Sequence, residues 1–289
     1  MYKTFNDRPQ KGNPHQLKTN QHVFPVASIN RFYNDKEQVQ VWRTGSKAPF
    51  PAKSKNPIFC ADYVWDERSE SGFMKALEDK YQALIESFLK QPAAYQFTAE
   101  ENEILTELFG LWFFRKQAKD RPYPAQKVNG VVGLTQYPTV DESEQLEKNF
   151  VTQIYPERVD DTYPNFDPSN PPNFYMTSQH NTGSMIQVRL MEFQEENEGA
   201  IWGVVIAKEG EFIVPDLYKW HAILPISPTI CLVKDRVGVE FLSYSEVAIF
   251  NYHTREASDD FVFARDFTKS PILNTLYFAM KEAISTTFN

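Results

Sequence analysis

Among the side chains of this sequence that could carry chemistry, His22 stands out. It lies in Asn20-Gln21-His22-Val23-Phe24-Pro25, flanked on one side by amides and followed in third place by proline. Histidine titrates near neutral pH without help. Within reach of a carboxylate and a reacting group, His22 could serve as a general base. The competing reading is a buried imidazole that ties down the N-terminal segment. Glu78 follows Leu77 in an apolar, helix-periodic run. Turned outward it is a solvated flank; turned inward it could orient an imidazole or hold a metal. Asp216 closes Ile213-Val214-Pro215-Asp216, where Asp beside Pro is ordinary turn chemistry, and where a strand end could also deliver a carboxylate to a cleft. Asn251 follows an apolar run and reads as a helix C-cap or as an amide contact to substrate. Arg115-Lys116 with Lys119 and Arg121 is the nearest thing to a basic patch. That pattern fits a dipole-favoured helix C-terminus better than a nucleic-acid footprint.

Other chemistry is excluded by absence of its motif. The five histidines are His15, His22, His180, His221 and His253, and none stands at metal-ligand spacing from another. A divalent metal site would have to be gathered by the fold. No Gly-x-x-x-x-Gly-Lys loop, Gly-x-Gly-x-x-Gly turn, His-Glu-x-x-His helix or Cys-x-x-Cys pair occurs. A Gly-x-Ser-x-Gly elbow is missing too.

The elements that must position these residues follow from periodicity. Residues 1–19 are polar, with Pro9, Gly12 and Pro14, and read as a flexible arm. Val39, Val41 and Trp42 signal a short strand. Phe73, Leu77, Tyr81, Leu84 and Phe88 recur at helical spacing up to Gln91-Pro92. Thr98 with Glu101 forms a capping-box pattern that starts a second helix, ending at Arg121-Pro122. Thr139 with Glu142 starts a third, over about residues 141–153. Residues 155–182, with five prolines, read as a long polar connection and the one place for a subdomain boundary. Beyond it the period changes. Ile186, Val188 and Leu190 alternate with polar neighbours. The apolar run Ile201–Ile206, then Phe212 to Val214, Ile223-Leu224, Ile230 to Val233 and Val237 to Phe241 read as an antiparallel meander. Ser245 would cap a short helix through Asn251. Ser270-Pro271 opens a C-terminal helix carrying Ile272, Leu276 and Met280. The expected architecture is α+β: a mainly helical N-terminal half packed on a mostly antiparallel C-terminal sheet, in one domain over 20–289.

Composition bounds the partners. With 289 residues, 23 Phe, 14 Tyr and 5 Trp, the chain can bury a large core. A net charge of −8 argues against broad binding to a phosphate backbone. Cys60 and Cys231 sit among apolar neighbours and read as reduced, buried small hydrophobes. There is no leader-like apolar stretch after Met1 and no run approaching the ~20 apolar residues that cross a bilayer. A cytoplasmic protein with no membrane partner is expected.

In order, these features resemble the uncharacterised family catalogued as domain of unknown function 4238. The resemblance rests on Asn20 to Pro25 with the strand Val39-Gln40-Val41-Trp42, and on Leu77-Glu78 and Phe113-Phe114-Arg115. It continues through Ile201-Trp202, Phe212 to Asp216, Leu224-Pro225-Ile226-Ser227-Pro228, Asn251 and Phe261-Val262-Phe263. It covers about residues 20–265. The family's Asp-Asn-Pro-like turn is Asp216-Leu217-Tyr218 here. The resemblance implies fold and site candidates: His22, Glu78 and Asp216 as catalytic groups, and Asn20, Arg115 and Asn251 as substrate contacts. By analogy it implies a bacterial or phage-borne defence protein or toxin.

The leading expectation is a hydrolase acting on nucleic acid or a nucleotide, with His22 as base or metal ligand and Glu78 and Asp216 as its carboxylates. The alternative is a non-catalytic protein-binding subunit of a defence or regulatory complex. A third reading is a small-molecule sensor with an apolar pocket between the helices and the sheet.

Overall fold

The computed structural model describes residues 8–130, 138–156, 173–218 and 222–273. His221, the middle of the 155–182 connection and most of the expected C-terminal helix lie outside the described residues. The N-terminal part runs β1 (Asn20–His22), α1 (Val26–Asn30), β2 (Val39–Arg43), β3 (Phe50–Ala52), β4 (Cys60–Asp62), α2 (Lys75–Phe88) and α3 (Ala99–Asp120). Then come β5 (Gln126–Val128), α4 (Val140–Lys148), β6 (Ile154–Pro156), β7 (Phe174–Met176) and α5 (Ser178–Glu196). The rest is β8 (Trp202–Ala207), β9 (Val214–Pro215), β10 (Ile223–Ser227), β11 (Ile230–Lys234), β12 (Val239–Leu242), α6 (Tyr244–Ala257) and β13 (Phe261–Ala264). The fold is mixed α+β, as expected. No helix among the described residues is long and apolar enough to cross a membrane.

The chain groups into two compact units, each drawn from separated stretches. Unit 1 comprises residues 1–23, 60–79 and 114–196; unit 2 comprises 24–59, 80–113 and 197–289. Helices α2 and α3 each contribute residues to both.

Unit 1 carries the antiparallel pair β1-β4 and the three-stranded antiparallel sheet β5-β7-β6. Helix α4 starts at a capping box. Thr139 Oγ1 accepts from Glu142 N at 3.2 Å, and Thr139 N donates to the Glu142 carboxylate at 2.8 Å. Both groups would otherwise be orphans of a helix end. Residues 8–19, expected as an arm, make contacts in this unit. Leu17 is buried, Gln10 N donates to Glu144 at 2.6 Å and Lys18 N donates to Glu67 at 2.6 Å.

Helix α5 corrects one expectation. The alternation of Ile186, Val188 and Leu190 looked like a strand. In α5, Ile186 and Leu190 are four apart and buried on one face, while Val188 is exposed. Ile186 and Leu190 alone satisfy either period, and the full helix-length run, with Val188 on the opposite face, decides. The helix begins at Ser178, inside the stretch expected to be loop, and β7 precedes it.

Unit 2 holds two four-stranded sheets, β10-β11-β8-β12 and β3-β2-β13-β9. In the first, β10, β11 and β8 are antiparallel as expected, but β12 pairs parallel to β8. The Lys234–Gly238 connection therefore crosses the start of β8 rather than forming a hairpin. It crosses at Gly203, where a Cβ would lie 2.8 Å from Arg236 Cβ. Asp235 and Gly238 take the left-handed backbone that this crossing needs. The second sheet joins both ends of the sequence, with β13 lying between β2 and β9. Its core is aromatic: Phe263 meets Phe32 and Phe59 edge-on, with ring centroids 5.7 and 5.4 Å apart. The α3 start carries the expected capping box, Glu101 N to Thr98 Oγ1 at 3.2 Å and Thr98 N to Glu101 at 2.9 Å. Helix α6 starts two residues earlier than expected, with Ser243 rather than Ser245 as cap, and runs past Asn251 to Ala257.

Candidate functional site

In unit 1 the Asn20-Gln21-His22 segment forms β1, paired with β4 so that Asn20 faces Asp62 and His22 faces Cys60. The side chain that organises this region is Gln21, which is fully buried. Its Oε1 accepts from Val64 N at 2.7 Å and Trp65 N at 3.1 Å, and its Nε2 donates to Trp65 O at 2.6 Å. A single amide thus fixes the backbone that leads into Asp66. Just before it, Tyr63 takes a left-handed backbone (φ 52°). Such a conformation costs a bulky residue energy and persists where surroundings overdetermine it. The surroundings here are the Glu147 carboxylate, which accepts from Tyr63 Oη at 2.8 Å.

Asp66 is buried and makes a two-sided contact. Its Oδ1 accepts from Ser69 Oγ at 2.5 Å, and its Oδ2 lies 3.3 Å from His180 Nδ1. Ser69 belongs to a wide, π-helical turn over Ser69–Met74. On the far side of the ring, His180 Nε2 lies 3.0 Å from Thr152 Oγ1. Nδ1–H facing a carboxylate leaves Nε2 as an acceptor, so the Thr152 hydroxyl donates. Asp66 and His180 are buried; Thr152 is exposed. The result is a hydroxyl–imidazole–carboxylate triad with the hydroxyl at the surface and the carboxylate inside.

The first turn of α5 holds the imidazole. Thr177 Oγ1 accepts from His180 N at 3.1 Å, Ser178 Oγ donates to Tyr123 O at 2.6 Å, and Asn181 Nδ2 donates to Pro124 O at 2.7 Å. One turn on, Gly183 passes so close to the carboxylate that a Cβ there would sit 2.2 Å from both Asp66 Oδ1 and Ser69 Oγ. Burial pushes the His180 imidazole pKa below its ordinary value, Asp66 pulls it up, and Arg68 adds to the lowering. The positive end of α5 acts in the same direction as burial. The ring is therefore neutral and able to accept a proton near pH 7. A cleft of about 20 Å³ beside it is lined by Tyr63, Asp66, Glu147, Gln153 and His180. That is room for about one water molecule.

The residues expected to carry function sit elsewhere. Glu78 and Arg115 are brought together, but by each other. The Arg115 guanidinium is buried and pairs with the Glu78 carboxylate. It also lies 3.6 Å from Glu70 and 5.6 Å from the Trp65 ring centroid. Glu70 in turn accepts from Trp65 Nε1 at 2.6 Å. This is a buried ion-pair network, not an open substrate clamp. Asn20 is exposed and His22 half-buried in β1. Asp216 and Asn251 belong to unit 2. Asp216 accepts from Asp259 N at 2.8 Å and Asp260 N at 3.1 Å, pinning the turn before β13. Asn251 lies in the middle of α6, not at its end. Its amide spans three main-chain groups: Ile213 N at 3.0 Å, Glu211 O at 2.8 Å and Pro271 O at 2.9 Å. Both act as staples of the backbone. Among the described residues, no three His, Cys, Asp or Glu side chains converge to hold a metal ion. Cys60 and Cys231 are reduced and buried, and burial raises both thiols.

Asp66, Thr152 and His180 were not singled out by spacing, since nothing local links positions so far apart. One signal was present: the dense run of small polar residues Thr177 to Ser184 marks a helix start with an interior polar role. No family model, curated protein or solved structure matches this chain.

Proposed function

We propose that this protein is a hydrolase in which Thr152 is the nucleophile, His180 the general base and Asp66 the group that orients and stabilises the imidazole. The observation that carries this reading is the contact sequence Thr152 Oγ1, His180 Nε2 and Nδ1, Asp66 Oδ2. In the forward step Oγ1 attacks a carbonyl carbon and its proton passes to Nε2. The imidazolium, held by Asp66, returns that proton to the departing alkoxide or amine, leaving an acyl ester on Thr152. A water in the adjoining cleft then gives its proton to Nε2, attacks the acyl carbon and releases the acid, restoring the hydroxyl. The carboxylates of Asp66 and Glu147 line that cleft. They disfavour a polyanion and favour an uncharged or cationic acyl substrate over nucleic acid.

The test is hydrolysis of p-nitrophenyl acetate, with single- and double-stranded nucleic acid assayed in parallel. Thr152→Ala and His180→Asn are expected to lower ester turnover about 10²–10⁴-fold, with unchanged thermal midpoints, while Thr152→Ser keeps activity. Full turnover in Thr152→Ala would remove the nucleophile from the proposal. Nucleic-acid cleavage that depends on His180 would keep the base and change the substrate. Absence of any turnover, with a stable complex captured instead, would favour the binding-subunit reading.

A further inference from the structure

Unit 2 contains a cavity of about 540 Å³ between α6 and the sheet β10-β11-β8-β12. Its walls are mainly apolar, formed by Val205, Ile223, Val233, Leu242, Ile249 and Phe250. The volume falls within the roughly 300–1,000 Å³ of small-molecule sites.

Two details define the chemistry it would accept. Tyr218 and Thr254, both buried, line the cavity and meet hydroxyl to hydroxyl at 3.4 Å. That is longer than the roughly 2.5–3.0 Å of a well-formed O–H···O bond, so either hydroxyl can strengthen its bonding by turning to a ligand oxygen. The Lys, Arg, Asp and Glu side chains of the lining are engaged with the protein's own groups, and the His253 ring packs edge-on against Tyr252. Arg236 pairs with Glu240, and Lys234 lies 3.4 Å from Asp235. The Glu246 carboxylate accepts from Ser243 N at 2.8 Å and Ser243 Oγ at 2.7 Å. A charged ligand would have to displace one of these partners; an uncharged one would not.

We infer that this cavity is a binding site for an uncharged, mainly apolar small molecule bearing one carbonyl or hydroxyl oxygen, which Tyr218 and Thr254 hold. It is separate from the triad and independent of the hydrolase reading.

The probe is prodan, an uncharged naphthalene with a single ketone oxygen, titrated into the full-length protein. Saturable one-to-one binding with blue-shifted emission is expected. The double variant Tyr218→Phe, Thr254→Val should weaken prodan about three- to tenfold and leave binding of the ketone-free 2-dimethylaminonaphthalene unchanged. Ile249→Trp, at the partly exposed mouth, should weaken both about tenfold or more by overpacking. Methyl NMR of the unmodified protein keeps the test decisive if a variant fails to fold. Prodan should shift the methyls of Val205, Ile223, Val233, Leu242 and Ile249, and not those of Val188 and Met191 on α5. Non-saturable binding, shifts on α5, or Ile249→Trp binding as wild type would overturn the assignment.

Discussion

In the proposed reaction His180 is the base, and its burial sets a pH dependence. Its pKa is lowered from 6.5, first by desolvation. The neutral ring is the active form, so kcat/KM should rise with pH through a midpoint below 6.5 and be flat around neutrality. A midpoint above 6.5 in the pH–rate profile would contradict the assignment. The same shift fixes a stability trend. The unfolded state binds the proton more tightly, so the contribution of this group is full above pH 6.5 and is lost as pH falls through the lowered folded value. His180→Asn should flatten that part of the curve in urea titrations at several pH values. At this scale little of the site was legible. The sequence drew attention to His22, yet its neighbour Gln21 does the positioning work. A buried amide that replaces a stretch of ladder has no spacing signature.

Elements were read better where local chemistry decides them. The pairs Thr98/Glu101 and Thr139/Glu142 form the expected caps because each box is complete within four residues. The start of α5 was missed because Thr177 caps His180 N without a Glu or Gln at the third helical position to complete a box, and the side chains of its first turn bond instead to the distant Tyr123 and Pro124 carbonyls. The contact of α5 with the Ser69 turn gives a further expectation. Gly183→Ala should destabilise the protein by about 1–3 kcal/mol through overpacking. It should also cut turnover, since the added methyl must push Asp66 or Ser69 aside. Calorimetry and ester hydrolysis together check it; an unchanged midpoint with unchanged rate would mean that the carboxylate has slack. In unit 2, Asn251→Ala removes an amide that serves three main-chain groups. A loss of roughly 2–4 kcal/mol is expected in chemical denaturation, and Asn251→Asp should do no better than Ala, because a buried carboxylate cannot donate to Glu211 O and Pro271 O and is repelled by them.

For the whole molecule, composition and period change were enough to give α+β, since a long apolar-striped helix and short alternating runs differ in period. The parallel step from β8 to β12 was not legible, because it turns on the missing side chain of Gly203 rather than on any pattern in β12. Helices α2 and α3 each supply residues to both units, so neither unit can lose its structure without fraying a helix of the other. One cooperative transition is expected, with far-ultraviolet dichroism and tryptophan fluorescence coincident; two separated transitions would refute it. Arg115→Met should lower the stability of that transition by about 3 kcal/mol, because it strands Glu70 and Glu78 without their cation.

The close approach at Gly183 reaches beyond this one molecule. Any sequence that keeps an aspartate and a serine three apart against the first turns of this helix must leave that position without a side chain. Thr152 can be exchanged for another hydroxyl, and the loops between the three triad residues can lengthen or shorten. The glycine three places after the histidine cannot be replaced on those terms. His-x-x-Gly at a helix start, with Asp-x-x-Ser far upstream, is thus a sequence fingerprint by which distant relatives sharing the triad would be recognised.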